Sequence, residues 1–147
     1  MEAFGDMVDQ LVRHSKTKEL NTAQMRTDFR RSCSDHFYGA VFPEMQRFKA
    51  HLREQGICIA VEPLCPLDKN VIRAALVIQY PENQEHTLEI RYDFPRQDLA
   101  FLRFIGGRHQ PSADKRYPCD LLHRISCVKA YDLIETFVSA VLGELVE

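Results

Sequence analysis

The chain has 147 residues, of which 45% are hydrophobic and 27% are charged. This length suits a single globular domain, and this composition excludes an intrinsically disordered chain. The formal net charge of −2 gives no global positive field, so a nucleic-acid or membrane partner would need a local basic patch.

The sequence favours an intracellular protein. Residues 1–6 carry acidic side chains where a secretory signal has basic ones, and no apolar run approaches the ~20 residues that span a bilayer. The five cysteines are odd in number and contain no CxxC pair, which argues against a disulfide framework. We expect a cytoplasmic location, no membrane partner and one domain over residues 1–147, with 1–20 as a peripheral helix and link.

Two helices are predicted in the first third of the chain. The first is short, because its apolar residues recur at helical spacing only over residues 4–12 and the polar run 15–19 predicts a link. A capping pattern formed by Asn21 and Gln24 predicts that a second, long helix begins at Thr22. Its apolar stripe recurs at almost every fourth residue: Met25, Phe29, Cys33, Phe37, Val41, Met45, Phe48 and Leu52.

Pro43 lies inside this stripe. Proline removes a backbone donor and presses against the carbonyl of residue 39, so a kinked helix and a helix broken at Pro43 both remain open. The unchanged phase of the stripe favours one kinked helix, which Gly56 and Ile57 end in a Schellman cap. Straight, its 34 residues would extend about 51 Å, beyond the roughly 38 Å diameter of a compact domain of this size. We therefore expect the helix to bend, overhang or meet a second subunit.

A sheet and a last helix follow. Alternating or continuous apolar residues predict strands over 57–62, 71–80, 87–94 and 99–105, and the short connections between them favour an antiparallel meander. Residues 106–118 are predicted to be a loop, 121–128 fit either a strand or a helix, and a terminal helix begins near Lys129. The predicted fold class is α+β: a short helix, a long proline-kinked helix, a four-stranded antiparallel meander, and a C-terminal helix packed on one sheet face.

One acidic set suggests metal-dependent hydrolysis. Pro66, Leu67 and Asp68, followed by Glu89-Ile90-Arg91, resemble in part the PD-(D/E)xK class of nucleases. The resemblance implies Asp68 and Glu89 as metal ligands, but Arg91 stands where that class has lysine, and arginine stays protonated. The competing interpretation, which we favour, is a solvated strand face with ion pairs.

A second set has the chemistry of zinc ligands. Cys119 and His123 are four residues apart, so they would share one face of a helix. Structural zinc sites usually combine close-spaced ligands from two segments, and no second segment of that kind is evident. We expect no metal and no cofactor.

A third set is basic and surrounds the predicted loop. Guanidinium groups and glycine-rich backbone can hold phosphates, which makes this region the candidate for binding nucleic acid or a phosphate ligand. No Walker or GxGxxG loop accompanies it. Its residues are Arg103, Arg108, His109, Lys115, Arg116 and Arg124.

No nucleophile, base and acid occur in a catalytic pattern, so the sequence favours a non-enzymatic interaction or adaptor module over an enzyme. The overlong apolar helix suggests a protein partner or a homodimer, with the sheet as a further contact surface. The interface residues predicted on this helix are Phe29, Phe37, Val41, Met45 and Phe48.

Overall fold

A computed structural model describes the backbone of residues 2–146 and the side chains of residues 4–143. The two terminal residues of the predicted domain lie outside the described range. The helices are α1 (Glu2–His36), a π-helical segment (Phe37–Val41), α2 (Phe42–Glu54) and α3 (Cys127–Val146). The strands are β1 (Cys58–Pro66), β2 (Val71–Gln79), β3 (Glu85–Asp93), β4 (Asp98–Ile105), β5 (Arg108–His109) and β6 (Lys115–Pro118). The predicted α+β class is confirmed.

α1 is one uninterrupted helix, so the predicted link at 15–19 and the predicted start at Thr22 were wrong. The Thr22 hydroxyl donates to the carbonyl of Lys18 at 2.9 Å, as a threonine inside a helix does. Gln24 donates forward to Asp28 at 2.9 Å and does not reach back to Asn21. Lysine and glutamate are good helix formers, so a polar run rich in them does not end a helix.

The helix passes Pro43 without a break, because its hydrogen-bond spacing widens just before the proline. The Phe42 amide donates to the carbonyl of Phe37, five residues back, and Pro43 then occupies the first turn of α2. The carbonyl of Gly39, which a donor at position 43 would have used, instead accepts a hydrogen bond from the Cys127 thiol at 3.5 Å. The π segment thus resolves the choice between a kinked and a broken helix in favour of continuity.

The predicted Schellman cap is confirmed at the end of α2. The amide of Gly56 donates to Arg53 and that of Ile57 donates to Leu52, each at 3.0 Å. Gly56 has a φ of +79°, the left-handed conformation that this cap requires.

The sheet is antiparallel, as predicted, but has six strands instead of four. β1 to β4 form the meander in chain order, and the segment predicted as a loop supplies β5 and β6, which pair with opposite ends of β4. These strands are two and four residues long, too short to show a period in the sequence. β1 continues through Pro63 to Pro66 with an irregular register, which an edge strand tolerates. The ambiguous residues 121–128 fall in a 3₁₀ turn (Cys119–Arg124) and the start of α3.

The main core lies between the helices and one face of the sheet. On that face β2 and β3 bury Ile72, Leu76, Ile78, Ile90 and Tyr92. Opposite them, Phe37, Met45, Ile134 and Phe137 have no exposed surface. Glu62, Arg73, Glu89 and Arg91 alternate onto the other face.

The chain forms two compact units, the first ending at Ser32 within α1 and the second beginning at Cys33. The single domain over 1–147 stays a prediction.

Candidate interaction surface

The N-terminal segment of α1, residues 2–32, carries large apolar side chains in solvent. Phe4, Leu11 and Met25 are 68%, 62% and 61% exposed. Met7 and Val8 are also exposed and lie on the same side of the helix. We call these five residues the exposed stripe. Val12, also exposed, flanks it, whereas the exposed Leu20 lies on the opposite side of the helix.

The stripe follows a seven-residue repeat. Phe4, Leu11, Lys18 and Met25 are seven apart, and Val8, Ser15, Thr22 and Phe29 form a second series offset by four. Two series with this offset are the a and d positions of a coiled coil, which meet a facing helix along one seam. The polar residues Ser15, Lys18 and Thr22 occupy the middle of the seam, and its two ends are apolar.

A lone helix in water is only marginally stable. In proteins most of the stability of a helix comes from packing an amphipathic face. The 31 residues from 2 to 32 span about 46 Å as a helix. Exposed apolar patches of this kind mark contact sites in soluble proteins.

The charges of the N-terminal segment are unevenly distributed. Glu2, Asp6 and Asp9 precede the first basic residue, and Arg13, Lys16 and Lys18 follow in close succession. Acidic residues near a helix N-terminus also favour the helix dipole, so this distribution stabilises α1 itself.

The charged sheet face is organised around Glu89, whose side chain is only 8% exposed. Its neighbours across the sheet are Ala75 and Leu102, so two arginines supply its polar contacts. Arg73 Nε lies 3.0 Å from Glu89 Oε2, and Arg91 Nε donates to the other oxygen. Burial lowers the pKa of Arg73, but its hydrogen bonds and ion pairs with Glu89 and Glu62 outweigh that effect and raise it.

A half-buried polar cluster joins α1 to the sheet. His36 Nε2 lies 2.8 Å from the carbonyl oxygen of Ile125, and Nδ1 lies 2.8 Å from the Tyr92 hydroxyl. The carbonyl can only accept, so Nε2 carries a proton, and in the neutral ring Nδ1 then accepts from the Tyr92 hydroxyl. Burial lowers the pKa of His36, and the bond to Ile125 offsets part of this. His36 is therefore a neutral structural link.

Two cysteines lie beside this cluster. A hydrogen bond with the Cys119 side chain, followed by burial, raises the pKa of the Cys33 thiol. Burial, and then the two cysteines, raise the pKa of Tyr92. Because nucleophilic attack requires a thiolate, the buried Cys33 is a poor nucleophile. Sequence reasoning missed this cluster, although His36 lies next in sequence to the buried Phe37.

The residues of the nuclease hypothesis are not brought together. Asp68 accepts hydrogen bonds from the amides of Asn70 and Val71 at 2.7 and 3.0 Å, which makes it a turn residue. Glu89 pairs with Ala75, four residues along β2 from Val71 and so about 13 Å farther along the strand. Glu89 and Arg91 bind each other.

The residues of the zinc hypothesis lie in the 3₁₀ turn before α3. Cys119 contacts Cys33 there, and His123 is exposed. Among the side chains of residues 4–143, no three from His, Cys, Asp or Glu are grouped so that they could hold a metal ion.

The six basic residues of the predicted phosphate site are divided between the faces and edge of the sheet. Arg116 lies 3.6 Å from Asp98, and His109 lies 2.8 Å from Asp114. By register Arg116 pairs with Ala100 and Lys115 with Phe101, so their side chains point to opposite faces. The other three basic residues are in different elements: Arg103 in β4, Arg108 in β5 and Arg124 in the 3₁₀ turn.

The predicted interface residues are mostly internal. Phe37, Val41 and Met45 have no exposed surface, so a partner cannot reach them. Phe29 and Phe48 are half-buried, and Phe48 packs against Tyr131 at 5.1 Å between ring centroids. The surface available on the helix is the exposed stripe. The sequence showed its spacing, but the false link at 15–19 separated it from Met25.

No family model, no curated protein and no solved structure matches this chain. Among the described residues, no helix is long and apolar enough to cross a membrane.

Proposed function

We propose that this chain is a non-enzymatic interaction module that self-associates through the exposed stripe of α1. The observation that carries the proposal is the set of five large apolar side chains on one helix face, all in solvent, of which four occupy seam positions and Met7 lies beside them. Burying such a face stabilises both the contact and the helix that bears it. Arg73, Glu89 and Arg91, by contrast, bind one another.

The alternative of nucleic-acid or phosphate binding through residues 103–124 has less support. Two of its six side chains, those of His109 and Arg116, have acidic partners. The six do not all lie on one face, because Lys115 and Arg116 point to opposite faces of the sheet. A metal-dependent hydrolase has less support still, because Asp68 is engaged in a turn away from Glu89.

The test compares two leucines of the same helix. Leu11 lies in the stripe and is 62% exposed, whereas Leu20 lies on the opposite side and is 70% exposed. Leu11→Glu should weaken association about 10- to 100-fold, because it removes a leucine that the contact buries and places a charge at the seam. Leu20→Glu should leave association unchanged. Light scattering over a series of protein concentrations measures the mass of the unaltered chain and of each variant.

Two results would refute the proposal. One is a monomeric mass for the unaltered chain at all micromolar concentrations. The other is an equal loss of mass in the Leu11→Glu and Leu20→Glu variants, since that would reflect general charge and not a specific seam.

A further inference from the structure

We infer that the partner of the N-terminal segment is the same segment of a second copy, running antiparallel, with residue i of one copy opposite residue 33 − i of the other. This inference rests on the proposed self-association and specifies its geometry.

The apolar layers support this register. In antiparallel coiled coils an a residue of one helix faces a d residue of the other. In this register the numbers of two facing residues add up to 33, so Val8 lies opposite Met25 and Phe4 lies opposite Phe29. The two-fold symmetry of the dimer repeats both layers at the other end. Leu11 then faces the methyl group of Thr22. The large side chains thus meet at both ends of the seam, which are its apolar parts.

Lys18 distinguishes the two orientations. A parallel pair in register would place Lys18 directly against Lys18 of the other copy, at a d position where like charges repel. The antiparallel register places Lys18 opposite Ser15, whose hydroxyl can accept a hydrogen bond from the ammonium group. The polar middle of the seam is therefore tolerated in one orientation and unfavourable in the other.

The uneven charge of the segment favours the same orientation. A parallel pair would bring the acidic Asp6 and Asp9 of both copies together. An antiparallel pair places this acidic end beside the more basic second half of the other copy, which includes Arg31. Two antiparallel helices also set their dipoles in the favourable sense.

The area available is close to that of a stable contact. The stripe residues and Val12 are exposed by 39–68%, which at on the order of 200 Å² for a large side chain is about 100 Å² each. The six together present roughly 600 Å², near the ~800 Å² per partner of a standard interface.

A photocrosslinking experiment tests the orientation on the full chain. p-Benzoylphenylalanine replaces Phe4 in unlabelled protein, which is mixed with ¹⁵N-labelled protein before irradiation. The antiparallel register predicts crosslinks between copies from position 4 to residues 26–32, and the reciprocal probe at Met25 should crosslink near Val8. Crosslinks from position 4 to residues 1–11 of another copy would overturn the orientation. Crosslinks only within one copy would overturn the pairing of the segments.

A charge substitution gives an independent readout. Ser15→Glu would face Lys18 of the other copy twice in the antiparallel dimer, and should tighten association about 3-fold. In a parallel dimer the same substitution sets two glutamates against each other and weakens association. Ser15→Gln, with a similar shape and no charge, is the control and should give neither effect.

The two proposals fail in different ways. A monomeric mass for the unaltered chain refutes self-association itself. A dimeric mass with parallel crosslinks and weaker association in Ser15→Glu refutes only the antiparallel geometry.

Discussion

Residues 4–25 and residues 33–52 lie on one continuous run of helix and share an apolar spacing of three and four residues. Their apolar side chains nevertheless differ in burial. Cys33, Phe37, Val41 and Met45 have no exposed surface, whereas Phe4, Leu11 and Met25 are more than half exposed. Helical periodicity therefore reports which face is apolar and not what covers that face. In the second stretch the sheet and α3 cover it, and in the first we propose that another copy does.

Met45 and Met25 provide the largest expected difference between these regions, because they are the same residue type on the same helix. Met45 is fully buried and Met25 is 61% exposed. Met45→Ala should lower the free energy of unfolding by about 2–5 kcal/mol through lost burial and a cavity. Met25→Ala should change the free energy of unfolding of the second unit, residues 33–147, by less than about 0.5 kcal/mol, because Met25 lies outside that unit.

Tyrosine fluorescence during urea unfolding suits this measurement, because all five tyrosines lie between residues 38 and 131 and so report only the second unit. Equal destabilisation by the two substitutions would show that exposure on this helix does not indicate its energetic role.

The sequence was sufficient to predict the elements whose pattern extends over many residues. Strands β2 and β3, the Schellman cap and the terminal helix follow from eight or more residues of consistent pattern or from a specific glycine signal. The link at 15–19 was wrong because a polar run on an exposed helix resembles a loop when tertiary burial is absent. β5 and β6 were missed because two- and four-residue strands are defined by pairing with β4, which is a nonlocal property.

The candidate site was predictable only in part. Period two correctly predicted that Glu89 and Arg91 share one strand face, but it predicted a solvated face, whereas the side chain of Glu89 is 8% exposed. The partner Arg73 was not predicted, because pairing depends on the register between strands. The contacts of His36 with Tyr92 and Ile125 join residues 56 and 89 positions apart. Separations of this size leave no trace in local spacing, so no reading of one sequence would have found the cluster.

Arg73 offers a smaller test of the same contrast between covered and exposed groups. It contacts both the buried Glu89 and Glu62, whose side chain is 49% exposed. Arg73→Met should cost about 2–3 kcal/mol, since it leaves a buried carboxylate with Arg91 as its remaining cationic partner. Glu62→Gln, which removes the exposed pair alone, should cost less than about 0.5 kcal/mol.

A double variant separates the buried charge from general loss of packing. Arg73→Met combined with Glu89→Leu removes the stranded carboxylate and should recover most of the lost stability in urea unfolding. If the double variant is as unstable as the sum of its single substitutions, the ion pair is not the cause of the loss.

His36 gives the smallest effect and the one that depends on pH. Burial lowers its pKa in the folded chain below the ordinary value of 6.5. The unfolded chain therefore binds more protons below that pH, and the free energy of unfolding falls as the pH drops from about 7 through 6.5 towards the folded pKa. The slope from one such group is at most about 1.4 kcal/mol per pH unit.

His51, which is exposed on α2, is the matched control. Urea midpoints measured by tyrosine fluorescence between pH 5.5 and 7.5 should lose this component in His36→Gln and keep it in His51→Gln. Identical pH profiles for the two variants would mean that burial does not lower the pKa of His36 in the folded chain, because a histidine that takes up a proton equally in the folded and unfolded chains contributes no slope.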